Sequence, residues 1–116
     1  GYLTEKDKMA LIDCSDVVVL PSKHAGESHP LIVEEVKARN KLLVTTDISP
    51  ALISIVREYY KGHVATRGPK GFAETLLKIL RQGNQDKLIY KNLRKHVLTW
   101  REIASSLIYL YRMVLK

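Results

Sequence analysis

The sequence has little of what several protein classes require. Its 116 residues include one cysteine, Cys14, so neither an internal disulfide nor a cysteine-based zinc site can form. Six glycines and four prolines are too few for a collagen-like or low-complexity chain. No apolar run approaches the ~20 residues that a membrane span needs. We therefore expect one folded cytoplasmic domain, with Cys14 as a small buried apolar residue.

Motifs of several catalytic classes are also missing. No Walker-type run and no Gly-x-Gly-x-x-Gly follows a predicted strand, and no Gly-x-Ser-x-Gly elbow occurs. His24 and His29 share a loop with Glu27, but nothing fixes their geometry as metal ligands. We therefore expect no metal ion and no other cofactor.

The net charge of +7 is unevenly distributed along the chain. Residues 1–60 hold seven Lys/Arg against nine Asp/Glu, whereas residues 61–116 hold twelve against three. A basic half of this kind suits a ligand that carries phosphates, an anionic membrane surface or a nucleic acid, and charge alone leaves all three open. The cations of the segment 84–97 are expected to form a solvated helix face: Lys87, Lys91, Arg94 and Lys95.

Hydrophobic periodicity predicts a chain in which helices and strands alternate. Thr4, Ser49 and Thr99 are the predicted helix N-caps, and Pro30 is expected in the first turn of its helix. The strand at 16–20 is a β-branched run, typical of a strand buried on both faces. Predicted helices cover 4–14, 31–40, 50–59, 70–82, 84–97 and the residues after 99; predicted strands cover 16–20, 41–46 and 62–66.

This order predicts an α/β fold: a partial Rossmann-like, doubly wound parallel sheet of about three strands flanked by helices, with a helical C-terminal tail. Ligands of such sheets bind outside the carboxyl ends of the strands. The segments expected there are Ser22–Pro30, Thr45–Pro50 and Arg67–Pro69. The apolar stripe from Trp100 to Leu115 is expected to dock on its own sheet or to pair with a second copy of the chain.

Two carboxylates stand out at the junction between the first strand and the next helix. Glu27 lies in the loop and Glu35 on the helix, with seven residues between them. A carboxylate can accept hydrogen bonds from two neighbouring sugar hydroxyls, so the pair suits recognition of two sugars of one ligand. The alternative is that both are solvated glutamates near a helix start, where the helix dipole favours negative charge.

The ordered motifs resemble the donor-binding domain of family 4 retaining glycosyltransferases, which have the GT-B fold. The similarity runs nearly end to end: a hydrophobic strand with Pro-Ser in Cys14–Ser22, Glu-x7-Glu in Glu27–Glu35, a helix, turn and strand in Val36–Val44, a Gly-Pro helix start in Gly68–Leu76, and a Thr-Trp helix from Thr99. Asn40 stands where the family commonly has glycine.

The resemblance implies that residues 1–116 form a single domain, the C-terminal part of a GT-B donor-binding lobe. The acceptor lobe and the segment that grips the diphosphate would lie upstream. Glu35 would bind the ribose hydroxyls of a nucleotide-diphosphate sugar, and Glu27 would take the catalytic position, at hydroxyls of the transferred sugar near its reacting face. The loop residues Ser28, His29, Pro30 and Leu31 would lie close to the sugar and the diphosphate.

The function expected from the resemblance is donor binding in a retaining glycosyltransferase that moves a hexose to a glycan or lipid, with this chain inactive alone. Its expected partners are the nucleotide sugar, the missing lobe or a second copy through the C-terminal helix, and peripherally a membrane, but not a nucleic acid. Two alternatives stay open: a structural subunit that completes another chain, and a basic nucleic-acid-binding module, which lacks aromatic interleaving.

Overall fold

A computed structural model of the chain describes residues 1–59, 61–82 and 99–115. In these ranges the predicted alternation of helices and strands is confirmed. The predicted basic helix at 84–97 lies outside the described residues. The elements are α1 Glu5–Cys14, β1 Val17–Leu20, α2 Leu31–Ala38, β2 Leu42–Thr46, α3 Pro50–Glu58, β3 Gly62–Ala65, α4 Pro69–Gln82 and α5 Trp100–Val114.

The strands form a parallel three-stranded sheet in the order β1-β2-β3. Val44 of β2 pairs with Val19 of β1 on one side and with His63 of β3 on the other. The sheet is flanked by helices, with α2 and α3 packed on β2, and α3 and α4 packed on β3. The predicted partial Rossmann-like α/β fold is therefore confirmed, with β2 as the central strand.

The prediction that the first strand is buried on both faces is wrong. Val18 and Leu20 pack against the core, but Val19, which points to the opposite face, is 46% exposed. The packed helices contact mainly β2 and β3, so this face of β1 is only partly covered. By contrast β2 is buried on both faces, with Leu43, Val44 and Thr45 fully inaccessible.

The hydrophobic core lies between the sheet and helices α1, α2 and α3. Burial of these apolar side chains is the main term that holds the helices on the sheet. Tyr59 closes the cluster beside α3, and its hydroxyl donates a 2.7 Å hydrogen bond to the carbonyl of Lys41. The cluster consists of Ile12, Val33, Val36, Leu43, Leu52, Val56 and Tyr59.

Local capping chemistry sets most helix boundaries. The side chains of Thr4, Ser49 and Thr99 accept hydrogen bonds from backbone N–H groups of α1, α3 and α5, as predicted. Pro30 differs from its prediction: its ψ of 132° is extended, so Pro30 is the N-cap and α2 begins one residue later.

The end of α2 explains why asparagine stands at position 40. Asn40 has a φ of +58°, in the left-handed region that glycine and asparagine tolerate best. Its N–H donates to the carbonyl of Lys37, and the N–H of Lys41 donates to that of Val36. These two bonds form a Schellman motif, which turns the chain from α2 into β2.

Two further expectations about side-chain burial are not met. Cys14, expected inside, is exposed, because it lies two residues, about 200° of helix rotation, beyond the inward-facing Ile12. No residue of α5 is buried, and Trp100, Leu107 and Ile108 are among its exposed apolar side chains. Docking of α5 on its own sheet is therefore not seen, and pairing with a second copy stays a prediction.

None of the helices in the described ranges combines the length and apolar character that crossing a membrane requires.

Gly62, at the start of β3, has the least room for a side chain among the described glycines. We predict that Gly62→Ala destabilises the fold. A Cβ at this position would collide with the backbone carbonyl of Val56 in α3. We expect the free energy of unfolding in urea to fall by about 2 kcal/mol, the range of overpacked sites. Gly26→Ala is the matched control, because a Cβ there meets nothing within 4 Å. Equal stabilities of the two variants would contradict this packing.

Candidate functional site

The loop from Pro21 to Pro30 leaves the carboxyl end of β1 and is fastened to β2 by hydroxyl groups. Thr45 Oγ1 donates a 3.0 Å hydrogen bond to the carbonyl of Leu20, and Thr46 Oγ1 donates a 2.6 Å bond to that of Ser22. Thr45 and Thr46 are both buried, so these bonds also satisfy polar groups that water cannot reach.

Ser49 fastens the far end of the same loop. Its Oγ accepts a hydrogen bond from the N–H of Leu52 as the N-cap of α3, and donates one to the carbonyl of Glu27. Ser49 is 1% exposed, so both bonds form away from water. The sequence predicts the cap from the Ser49-Pro50 pair, but no local signal indicates the second bond, which joins residues 22 positions apart.

Glu27 is held by its backbone and open at its side chain. Its N–H donates a 3.3 Å hydrogen bond to the carbonyl of His24, while its carbonyl accepts from Ser49. The residue is half-buried, and within the described ranges its carboxylate makes no hydrogen bond or ion pair. A fixed main chain with an unengaged carboxylate is an arrangement that can accept hydrogen bonds from a polyhydroxyl ligand.

The residues between Glu27 and α2 form one continuous exposed segment. Ser28 and His29 are exposed, Pro30 is half-buried, and Leu31 is 66% exposed at the helix start. Pro30 has no side chain that could cap the helix, and in the first turn of α2 the N–H of Val33 donates to the Pro30 carbonyl, which leaves the N–H groups of Leu31 and Ile32 without a carbonyl one turn earlier. These N–H groups and the helix dipole favour an anion at this position.

Glu35 lies in the second turn of α2 and is already engaged by a lysine. Lys8 Nζ on α1 lies 2.9 Å from Glu35 Oε1 and 2.8 Å from Glu5 Oε2. The hydrogen bonds with Glu5 and then Glu35 raise the pKa of Lys8, so this amine stays charged well above neutral pH. Sequence reasoning missed Lys8, because it lies 27 residues away and no spacing rule connects it with Glu35.

Glu34 contacts a different pair of side chains, those of His29 and Lys37. Its Oε1 lies 2.9 Å from His29 Nε2 and 2.8 Å from Lys37 Nζ. Partial burial acts to raise the pKa of Glu34, but the hydrogen bonds from Lys37 and His29 outweigh it, and the pKa falls below its usual value. The contact between His29 and Glu34 joins the loop to α2.

The six predicted site residues therefore do not all contact one another, because two of them bond to other side chains: His29 to Glu34 and Glu35 to Lys8. Ser28, His29, Pro30 and Leu31 run from Glu27 to α2 as predicted, but His29 turns to Glu34. Glu35 bonds to Lys8, and no hydrogen bond or ion pair links it to Glu27 among the described residues.

The loops after β2 and β3 complete this edge of the sheet. The N–H of Asp47 donates to the carbonyl of Ala65, and Arg67 Nε lies 3.8 Å from Asp47 Oδ1. Both side chains are exposed, so the pair is solvated. Two surface depressions lie elsewhere, one on α3 around Ile53 and one on α4 around Leu77.

Metal ligands are not gathered at this edge. Among the residues that the structure describes, His, Cys, Asp and Glu nowhere form a group of three or more that could hold a metal ion.

A helix-flanked parallel sheet with a polar loop at its carboxyl edge defines a Rossmann-like α/β domain. The family model of group 1 glycosyl transferases matches residues 1–96, which include every element from α1 to α4. The chain therefore belongs to the group 1 glycosyl transferase family. Neither the curated proteins nor the solved structures yielded a match.

We predict that Ser49→Ala lowers the free energy of unfolding by about 1–2 kcal/mol, the effect of losing a helix N-cap. Because Ser49 also holds Glu27, amide shifts should change across the loop at 23–29 as well as in α3. Ser54→Ala, an exposed serine in the same helix, is the control and should do neither. Shift changes confined to α3 would show that Ser49 does not hold the loop.

We also predict that Glu34→Gln flattens the acid dependence of stability. A carboxyl whose folded pKa is lowered stabilises the fold above its ordinary pKa of 4.5 and loses that contribution as pH falls through the lower folded value. Urea unfolding at pH 6, 5, 4 and 3.5 should therefore show a smaller loss in the variant. A parallel loss in both proteins would contradict the lowered pKa.

Proposed function

We propose that this chain carries the donor-binding site of a retaining, family 4 glycosyltransferase of GT-B architecture. Membership of the glycosyl transferase family supports the reaction class. The carboxylate of Glu27 carries the proposal: the main chain of this residue is fastened by Ser49, whereas its carboxylate makes no hydrogen bond or ion pair with a described residue. A nucleotide-diphosphate sugar supplies the hydroxyls and phosphates that this edge of the sheet is suited to bind.

In this proposal each part of the donor meets one element of the site. Glu35 accepts hydrogen bonds from the ribose hydroxyls, and Glu27 accepts them from hydroxyls of the sugar that is transferred. Charged acceptors bind hydroxyls more strongly than neutral ones, and an ionised carboxylate has two oxygens for two neighbouring hydroxyls. The diphosphate lies at the start of α2, where the N–H groups of Leu31 and Ile32 favour negative charge.

The chemistry follows from where charge develops. As the bond between sugar and diphosphate breaks, negative charge grows on the leaving phosphate and positive charge on the sugar carbon. Backbone N–H groups of α2 stabilise the first, and the negative carboxylate of Glu27 near the sugar stabilises the second. Transfer to a glycan or lipid acceptor would need an acceptor lobe besides this domain, so we expect the chain alone to bind donor without completing the reaction.

A structural role in a larger assembly is a second candidate, favoured by α5. Apolar side chains are exposed from its first residue, Trp100, to its last, Val114, which is more than four-fifths accessible. Such a helix suits contact with another lobe or chain. Co-purification with a larger glycosyltransferase chain, together with no donor binding by this chain alone, would favour this role.

We predict that Glu35→Gln and Glu27→Gln weaken donor binding in different ways. Ligand-observed NMR with uridine, guanosine and adenosine diphosphate hexoses, and with the free nucleoside diphosphates, should show saturable binding of one base type. Glu35→Gln should weaken both the sugar nucleotide and the free nucleotide about tenfold or more, as expected for a hydrogen bond to a charged group. Glu27→Gln should weaken only the sugar nucleotide.

Glu58→Gln, an exposed glutamate on α3, is the control and should leave the affinities unchanged. Equal affinities in all four proteins would contradict the proposed site. A short DNA duplex in the same assay tests the nucleic-acid alternative, which predicts binding that weakens steeply with salt.

A further inference from the structure

Among the described residues, three side chains of α1 make polar contacts with α2 and the residues that end it. Arg39 pairs with Asp13 and also donates a hydrogen bond to the sulfur of Met9. The third contact, from Lys8 to Glu35, differs from these because it ends on a residue of the proposed donor site. Of these contacts it is therefore the one that can affect donor binding through the carboxylate of Glu35.

The geometry leaves the carboxylate only partly engaged. Lys8 donates to Oε1 of Glu35, and Oε2 accepts no hydrogen bond from any described residue. Glu5 binds the same ammonium group from the preceding turn of α1, which keeps the amine in place between the two glutamates. The Glu35 side chain is 20% exposed, so it is reachable but confined.

We propose that Lys8 is a positioning residue of the donor site: by holding Oε1, it fixes the Glu35 carboxylate with Oε2 available to ribose hydroxyls. This inference rests on the proposed function of Glu35. A free glutamate side chain samples many rotamers and loses that freedom when it binds a ligand. A carboxylate that is already held in one orientation has less entropy to lose, so it binds more tightly.

Lys8 would have the opposite role if the ribose hydroxyls needed both carboxylate oxygens of Glu35, because Lys8 would compete for one of them. Lys8 would then be a counter-ion that the ribose must displace, and removing it would tighten binding. The bridge to Glu5 favours the positioning role, because it gives the ammonium group a second carboxylate on its own helix that keeps it beside Glu35. The two roles predict opposite signs for the same substitution.

The test compares Lys8→Met with wild type on two ligands, by ligand-observed NMR on the full chain. One is the nucleoside diphosphate that carries the base identified by the titration above. The other is its 2′,3′-dideoxy analogue, which lacks both ribose hydroxyls. We expect Lys8→Met to weaken the ribonucleotide about three- to fivefold, the effect of one partly exposed ion pair. The dideoxy affinity should not change, and in the Glu35→Gln background Lys8→Met should have no further effect.

Asp13→Asn is the matched control, because it removes an ion pair between the same two parts of the chain away from the site. It should leave the ratio of the two affinities unchanged. An equal loss for both ligands in Lys8→Met would show a merely structural role, and tighter ribonucleotide binding would show a displaced counter-ion; either result overturns the proposal.

The proposed function fails in a different way. If Glu35→Gln leaves the ratio of ribonucleotide to dideoxy affinity as in wild type, or if wild type binds neither ligand, the assignment of Glu35 is wrong and the role of Lys8 falls with it. If Glu35→Gln abolishes that ratio while Lys8→Met preserves it, the assignment of Glu35 stands and only the role of Lys8 is overturned.

Discussion

The hydrogen bonds from Thr45, Thr46 and Ser49 to the preceding loop are the constraint on which the candidate site depends. They run from the buried end of β2 and the start of α3 to the carbonyls of Leu20, Ser22 and Glu27. Without them the loop after β1 would be tied only at its ends. With them, Glu27 has a defined backbone position beside the start of α2, which is what a hydroxyl-binding carboxylate requires.

Burial of β2 makes this arrangement possible. A strand with neighbours on both sides and helices on its faces places its hydroxyls where water cannot compete, so each finds a carbonyl partner. The same burial explains why α2 ends in a left-handed Asn40: the chain must turn sharply to return into the sheet. Packing of the core thus determines where the loop and both glutamates lie, and the proposed donor site depends on that placement.

Much of the fold could be predicted because its signals are local. The caps at Thr4, Ser49 and Thr99 and the apolar run of β2 lie within a few residues of the elements they define. The misses depend on distant packing. Exposure of Val19 depends on which strands the helices cover, and Lys8 meets Glu35 only after α1 docks beside α2. Glu27 and Glu35 could be singled out by spacing, but their partners could not.

The most direct test of the central claim is an amide-shift map of the isotope-labelled chain titrated with nucleotide-diphosphate sugars. We expect saturable shifts concentrated between Glu27 and Glu35, with smaller changes at Ser49, whose hydroxyl holds the loop. Saturable shifts centred instead on α4 or α5, with the segment from Glu27 to Glu35 unchanged, would contradict a donor site at this edge of the sheet.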